Sequence, residues 1–257
     1  MCLILFGYEI HPDYRLILAA NRDEYHDRPT APAGFRDNTP QLLSGMDLTH
    51  GGTWLGITRS GRIAAVTNYR DPSRHRHDAL SRGDLTTRFL RSDVSIEDYL
   101  RFLKREGGAY NDFNLLFGSA ERLCCFSNRG DIPSDVSPGI HTLSNHLLDT
   151  QWPKSERGRK ALSGLIAPGG MIHPEELLLI LSDRTPAPDD LLPDTGIGME
   201  LERLLSPMFI VSPRYGTRSS TLILIDRDGN VTYVERTFGP DSGIIATARF
   251  SFKIVNS

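Results

Sequence analysis

The first two apolar segments of the chain predict a β-hairpin. Residues 2–9 and 14–21 are rich in Leu, Ile and Phe, and His11-Pro12-Asp13 separates them. Because proline and aspartate favour turns, the two segments are predicted to pair as antiparallel strands. Residues 2–9 are apolar at successive positions, which indicates a strand that is covered on both faces.

Further hairpins and helices follow along the chain. Turn residues separate paired strand patterns at 53–58 with 62–69, 113–119 with 122–127, and 221–226 with 230–235. Capping residues, or proline at the first helical position, predict helices over 81–90, 95–104, 153–166 and 174–182. The segment 184–193 is rich in Pro and Asp and is predicted to be a loop.

Strands arranged in hairpins, with the helices grouped between them, predict an α+β fold. Two stacked, mainly antiparallel sheets between two helical layers satisfy this order and also cover the strands that are apolar on both faces. No internal repeat or linker interrupts the pattern. Residues 1–257 are therefore predicted to form a single domain.

Composition and charge exclude several classes of function. Hydrophobic residues at 39% and charged residues at 24% are typical of a soluble globular protein, and a net charge of -3 provides no basic excess for nucleic acid. No segment approaches the roughly 20 apolar residues that span a bilayer. Residues 1–9 lack the features of a signal peptide, so a cytoplasmic location is expected. The three cysteines have neither disulfide nor zinc spacing, and no metal site is predicted.

The N-terminal hairpin places a cysteine beside charged residues. If its turn centres on Pro12-Asp13, partner residues have numbers that sum to about 25, and Cys2 lies opposite Asp23. A register shift of one residue would bring Arg22 or Glu24 there instead. In each register the thiol lies beside the polar segment 21–24.

This position suits a nucleophile. Removal of Met1 would leave Cys2 with a free α-amine, whose reference pKa of about 7.7–8.0 suits a base near neutral pH. A nearby guanidinium is expected to lower the thiol pKa and favour the thiolate. The alternative from the residues alone is that Cys2 is a small buried apolar side chain.

The polar segment is also the first of several motifs that together resemble one family. The motifs run in order through the chain: Asn21-Arg22-Asp23-Glu24, Ser44-Gly45, Gly51-Gly52-Thr53-Trp54-Leu55-Gly56, Thr67-Asn68-Tyr69, Phe113-Asn114-Leu115, Asn128-Arg129-Gly130, Leu143-Ser144-Asn145 and Tyr215-Gly216-Thr217-Arg218. In this order they resemble the NRDE family, also called the transport and Golgi organisation protein 2 family. That family is similar in turn to the cysteine N-terminal-nucleophile hydrolases.

The resemblance implies a four-layer αββα sandwich and cleavage of a non-peptide amide bond. Cys2 and Asp23 match the nucleophile and the aspartate of these hydrolases, and Asn68 and Asn145 match the asparagines near the oxyanion. Arg218 is the candidate for their later arginine. Their arginine on the second strand is displaced here by two positions, to Arg22.

Each of these side chains also has a structural alternative. Arg22 and Asp23 could form an ion pair at the end of a sheet. Asn68 and Asn145 could cap turns. Arg218 could be a surface charge or pair with Glu235 across a hairpin.

Two functions follow from these expectations. The first is a hydrolase of a small amide or acyl substrate, which needs no cofactor and forms a thioester at Cys2. The second, which the resemblance to the NRDE family implies, is a non-enzymatic carrier or chaperone that uses the same cleft for an amphipathic ligand, such as haem or a lipid in the form of acyl-CoA. Both functions imply a small-molecule partner and no nucleic acid.

Overall fold

Two antiparallel sheets form the centre of the structure. The structure is a computed structural model, and it describes residues 2–36, 39–130 and 134–255. The first sheet has the order β10-β1-β2-β11-β12-β13. Its strands are β1 (Cys2–Tyr8), β2 (Tyr14–Tyr25), β10 (Gly139–Leu143), β11 (Tyr215–Asp226), β12 (Asn230–Phe238) and β13 (Ile244–Lys253). The second sheet runs from β3 to β9 in sequence order. Its strands are β3 (Thr30–Arg36), β4 (Thr39–Asp47), β5 (Leu55–Thr58), β6 (Ile63–Asn68), β7 (Phe113–Gly118), β8 (Leu123–Ser127) and β9 (Ser134–Asp135).

Helices cover the outer face of each sheet. The helices of the described residues are α1 (Arg82–Leu90), α2 (Ile96–Glu106), α3 (Pro153–Ile166), α4 (Pro174–Leu181) and α5 (Met199–Leu204). Helices α1 and α2 pack on the second sheet, whereas α3 and α4 pack on the first. None of the described helices is both long and apolar enough to cross a membrane.

Strand β1 shows why the layers form in this order. Ile4 and Phe6 belong to the core between the two sheets, whereas Leu3 and Leu5 belong to the core beneath α3 and α4. Because alternate side chains of a strand point to opposite faces, a strand that is apolar at every position must be covered on both sides. The α+β architecture with its four αββα layers is therefore confirmed.

The predicted hairpins and helices are present, with ends that differ by a few residues. The predicted loop 184–193 contains one short 3-10 turn, Asp189–Leu191. Strands β3, β4, β9, β10 and β13 and helix α5 were not predicted.

The register of the first hairpin differs from the predicted one by one residue. Tyr8 pairs with Leu16 and Cys2 with Arg22, so partner numbers sum to 24. The backbone N–H of Glu9 donates to the carbonyl of Arg15 at 2.8 Å, which leaves an odd-numbered loop, 10–14, centred on Pro12 alone. Because side chains alternate along a strand, this shift moves Asp23 to the face opposite Cys2.

Candidate active site

A cavity of about 230 Å³ lies beside the first residue of β1. Cys2, Arg22, Asp23 and Asn68 all line it, so four of the six predicted site residues come together. Arg82, in the first turn of α1, lines the cavity as well, although the sequence analysis did not select it. The other two cysteines lie in the buried core.

The Cys2 thiol is half-buried, and the hydroxyl of Ser144 donates to the Cys2 carbonyl at 3.3 Å. Burial raises the pKa of the thiol, and the Arg22 guanidinium opposes this rise without cancelling it. The Arg22 guanidinium thus lowers the thiol pKa in the predicted direction, but desolvation is the larger effect and the pKa is raised. A thiol in this state needs a base to become a nucleophile at neutral pH.

Arg22 is fixed in place by an aromatic ring. Its guanidinium lies 4.2 Å from the centre of the Trp54 ring, Nη1 donates to the Thr30 hydroxyl at 3.3 Å, and Glu24 lies 3.8 Å away. A Cβ on Gly45 would overlap the Trp54 indole, so only glycine leaves room for the ring. The Ser-Gly and Gly-Gly-Thr-Trp motifs therefore serve to place Arg22 next to Cys2.

Asp23 faces the helical layer rather than the space between the sheets. Its Oδ1 accepts from the Thr217 hydroxyl at 2.7 Å, and its carbonyl accepts from the Tyr215 hydroxyl at 2.9 Å. Burial raises the pKa of the Asp23 carboxyl, against the opposing effects of Lys154 and the Thr217 hydrogen bond. Asp23 and Arg22 thus project from opposite faces of β2.

A buried charge network that the sequence analysis did not detect lies on the same side as Asp23. Lys154 is 2% exposed, and its Nζ donates to the Leu205 carbonyl at 3.1 Å. Burial lowers the pKa of Lys154 to about 8, and the charges of Asp23 and Cys2 oppose this decrease. Nearby, Arg70 pairs with Glu202 at 2.5 Å. No motif marks Lys154 or Glu202 in the sequence, because their importance comes only from burial.

The two predicted asparagines meet, but only one of them lines the cavity. The side-chain amide of Asn145 donates to the Asn68 carbonyl at 3.0 Å, and the Asn145 carbonyl accepts from the Arg70 backbone N–H at 2.8 Å. Asn68 ends β6 at the cavity wall, and its side chain bonds to no residue in the part of the chain that the structure describes. Asn68 is therefore available to a ligand, whereas fully buried Asn145 supports its backbone.

Arg218 lies outside the cavity lining. Its Nη1 donates to the carbonyls of Tyr25 at 2.7 Å and Arg28 at 3.3 Å, which fixes the turn after β2. The Glu235 carboxylate instead accepts from the Ala33 backbone N–H at 2.6 Å. The structure therefore gives Arg218 a contact with the backbone that neither sequence-based alternative described.

A metal ion has no evident ligand set here. Within residues 2–36, 39–130 and 134–255, no three His, Cys, Asp or Glu side chains lie close enough together to hold one.

Two stacked antiparallel sheets between helical layers form a fold that solved N-terminal-nucleophile hydrolases also have. A crystal structure of the C2A mutant of conjugated bile acid hydrolase from Clostridium perfringens is similar over 100% of this chain and 98% of that chain, with a TM-score of 0.51. The two sequences are 10% identical, so this similarity concerns the fold alone.

The chain belongs to the Transport and Golgi organisation 2 family, whose sequence profile matches residues 1–240. The Transport and Golgi organization protein 2 homolog of Bos taurus is 38% identical, over 99% of this chain and 99% of the relative. The Homo sapiens homolog is also 38% identical, over 92% of this chain and 93% of the relative. The resemblance found in the motifs is therefore confirmed.

Proposed function

We propose that this protein is a cysteine N-terminal-nucleophile hydrolase of a small amide or acyl substrate, with Cys2 as nucleophile once Met1 is removed. The observation that carries the proposal is that half-buried Cys2 lines a polar cavity together with Asn68 and Arg22. A protein named as a hydrolase shares the fold.

The proposed reaction has two steps. The Cys2 α-amine takes the thiol proton while Sγ attacks the carbonyl carbon, and the Asn68 amide donates to the developing oxyanion. The C–N or C–O bond then breaks, the ammonium returns the proton to the leaving group, and a thioester remains. Water attacks the thioester, the amine takes its proton, and the thiol re-forms as the acid leaves. In this scheme the carboxylate of Asp23, on the neighbouring strand, favours the ammonium form of the α-amine.

The carrier function stays a prediction, and the lining of the cavity favours the hydrolase over it. Six charged side chains line the cavity: Arg22, Asp23, Glu24, Arg28, Asp47 and Arg82. A haem macrocycle or an acyl chain would have to desolvate these groups, at a cost that apolar contact does not offset. The volume is also below the roughly 300–1,000 Å³ of typical drug-sized ligand sites.

Acylation of the protein by p-nitrophenyl acetate tests the proposal. We expect a burst of nitrophenol with the acetyl group on Cys2, followed by steady turnover as the thioester hydrolyses. Cys2→Ala should lose both phases, and Cys125→Ala, which alters a core cysteine, should keep both. An acetyl group that forms on Cys2 and is never released would contradict hydrolysis and favour a binding protein with a reactive thiol.

A further inference from the structure

Two of the three cavity arginines are paired with carboxylates. Arg28 binds Asp47 with both ends of its guanidinium, at 3.2 Å from Nε and 2.6 Å from Nη2. Arg22 lies 3.8 Å from Glu24 and stacks on Trp54. Their charges are largely balanced within the protein.

Arg82 differs from both. Its Nη1 donates to the Asp112 carbonyl at 3.1 Å, and this is its one side-chain hydrogen bond among the described residues. No carboxylate of the described chain lies within 4.0 Å of its guanidinium, although the side chain is half-buried. An arginine has five N–H donors and stays charged in proteins, so most of the donors of Arg82 remain for a ligand.

Other uncommitted polar groups share the cavity wall with Arg82. The Ser81 hydroxyl makes no hydrogen bond to the helix that it precedes, and the Asn68 amide bonds to no described residue. Three arginines and three carboxylates line the cavity, and Asp23 projects from the face of its strand opposite to Arg22. Among these three arginines, Arg82 is the one without a carboxylate partner in the part of the chain that the structure describes.

We propose that the cavity recognises a small acyl or amide substrate that carries one carboxylate, and that Arg82 binds this carboxylate. A guanidinium matches a carboxylate in shape and charge, and the preceding residue, Ser81, lines the same cavity with a hydroxyl that does not cap the helix. A singly charged carboxylate matches the one arginine that lacks a described carboxylate partner, whereas a phosphate monoester would bring a second negative charge near Glu24 and Asp47. For the reactive end of the substrate, this carboxylate site rests on the proposed hydrolase function. Binding of the carboxylate itself does not require Cys2 to react.

Paired alkylating reagents separate this role from a direct effect of Arg82 on the thiol. Iodoacetate carries a carboxylate, whereas iodoacetamide of similar size does not. We expect Arg82→Gln to slow alkylation of Cys2 by iodoacetate about tenfold or more, the loss expected for one charge-assisted hydrogen bond, while iodoacetamide changes less than about twofold. Arg91→Gln is the matched control, because exposed Arg91 follows the same helix and should change neither rate.

Three results would overturn the proposal in this experiment. Equal slowing of both reagents by Arg82→Gln would mean that Arg82 acts on the thiolate alone. An unchanged iodoacetate rate would mean that Arg82 binds no carboxylate. The same loss in Arg91→Gln would assign the effect to overall charge.

A binding measurement keeps the two proposals distinguishable. Titration calorimetry with N-acetylglycine and with neutral N-acetylglycinamide should show preference for the carboxylate in the wild type and no preference in Arg82→Gln. This result with an inert Cys2 would contradict the hydrolase while supporting the carboxylate site. A reactive Cys2 without any preference for N-acetylglycine would overturn the carboxylate site alone. Stronger competition against N-acetylglycine by inorganic phosphate than by acetate would also overturn it.

Discussion

Replacing Glu202 with glutamine is expected to lower the free energy of unfolding by about 3–5 kcal/mol, the usual cost of leaving one charge of a buried ion pair without its partner. The Glu202 and Arg70 side chains are 3% and 5% exposed and lie 2.5 Å apart. Arg70 also lies 4.8 Å from the centre of the Trp152 ring and 3.4 Å from Asn145 Oδ1. The substitution should therefore also disturb the support of Asn68 at the cavity wall.

Urea denaturation of Glu202→Gln measures this effect, and an exposed ion pair supplies the control. Asp189 and Arg203 pair at 2.6 Å on the surface, where solvent screens the interaction. Asp189→Asn should therefore change the free energy of unfolding far less than Glu202→Gln does. Similar losses in the two variants would show that burial does not set the strength of the Arg70–Glu202 pair.

Replacing Lys154 with methionine is expected to stabilise the fold at pH 7 by at most about 3 kcal/mol, because the hydrogen bond from Nζ to the Leu205 carbonyl is also lost. Burial lowers the pKa of Lys154 to about 8. An unperturbed lysine has a pKa of about 10.4, and each pH unit of difference corresponds to about 1.4 kcal/mol. The folded state thus disfavours the ammonium, and methionine removes that charge at similar volume.

The stabilisation expected for Lys154→Met should depend on pH. The destabilisation by Lys154 is fully present below pH 8, and it disappears as the pH rises towards the unfolded-state value of about 10.4, where both states hold the neutral amine. The advantage of Lys154→Met in urea denaturation should therefore shrink between these two pH values. Lys160→Met, at an exposed position of the same helix, should have little effect at any pH. A loss of stability in Lys154→Met at pH 7 would show that the ammonium makes favourable native interactions that exceed its desolvation.

Sequence patterns predicted the strands and helices whose ends are fixed by turn or capping residues in the same segment. The Asp228-Gly229 turn and the proline at the start of α3 each fix a neighbouring element, and the structure contains both elements. Strand β3 was missed because Pro32 interrupts its pattern, and proline is tolerated there because β3 is an edge strand. Strand β13 is the edge of the other sheet, and its outer face is exposed, so burial did not impose an apolar pattern on it.

The candidate site was predicted where motifs mark it and missed where only tertiary contacts define it. Cys2, Arg22, Asp23 and Asn68 line one cavity, although a one-residue change in the loop 10–14 reverses the face of Asp23. Arg82 was missed because its value as a ligand donor depends on the absence of a nearby carboxylate, which no local pattern encodes.

The other two cysteines provide internal standards for the reactivity of Cys2. Burial raises the pKa of Cys124 to about 11 and that of Cys125 to about 12, and both thiols lie in the core. Neither should react with iodoacetamide at neutral pH until the protein unfolds. A faster rate at Cys2 would therefore report its local environment.

The intact mass of the purified protein, combined with the alkylation rate of each cysteine, tests the central claim most directly. We predict a mass lower by one methionine residue and alkylation of Cys2 at least about tenfold faster than that of Cys124 or Cys125. Retention of Met1 on all of the folded protein, or a Cys2 that reacts no faster than the two core thiols, would contradict the assignment of Cys2 as an N-terminal nucleophile.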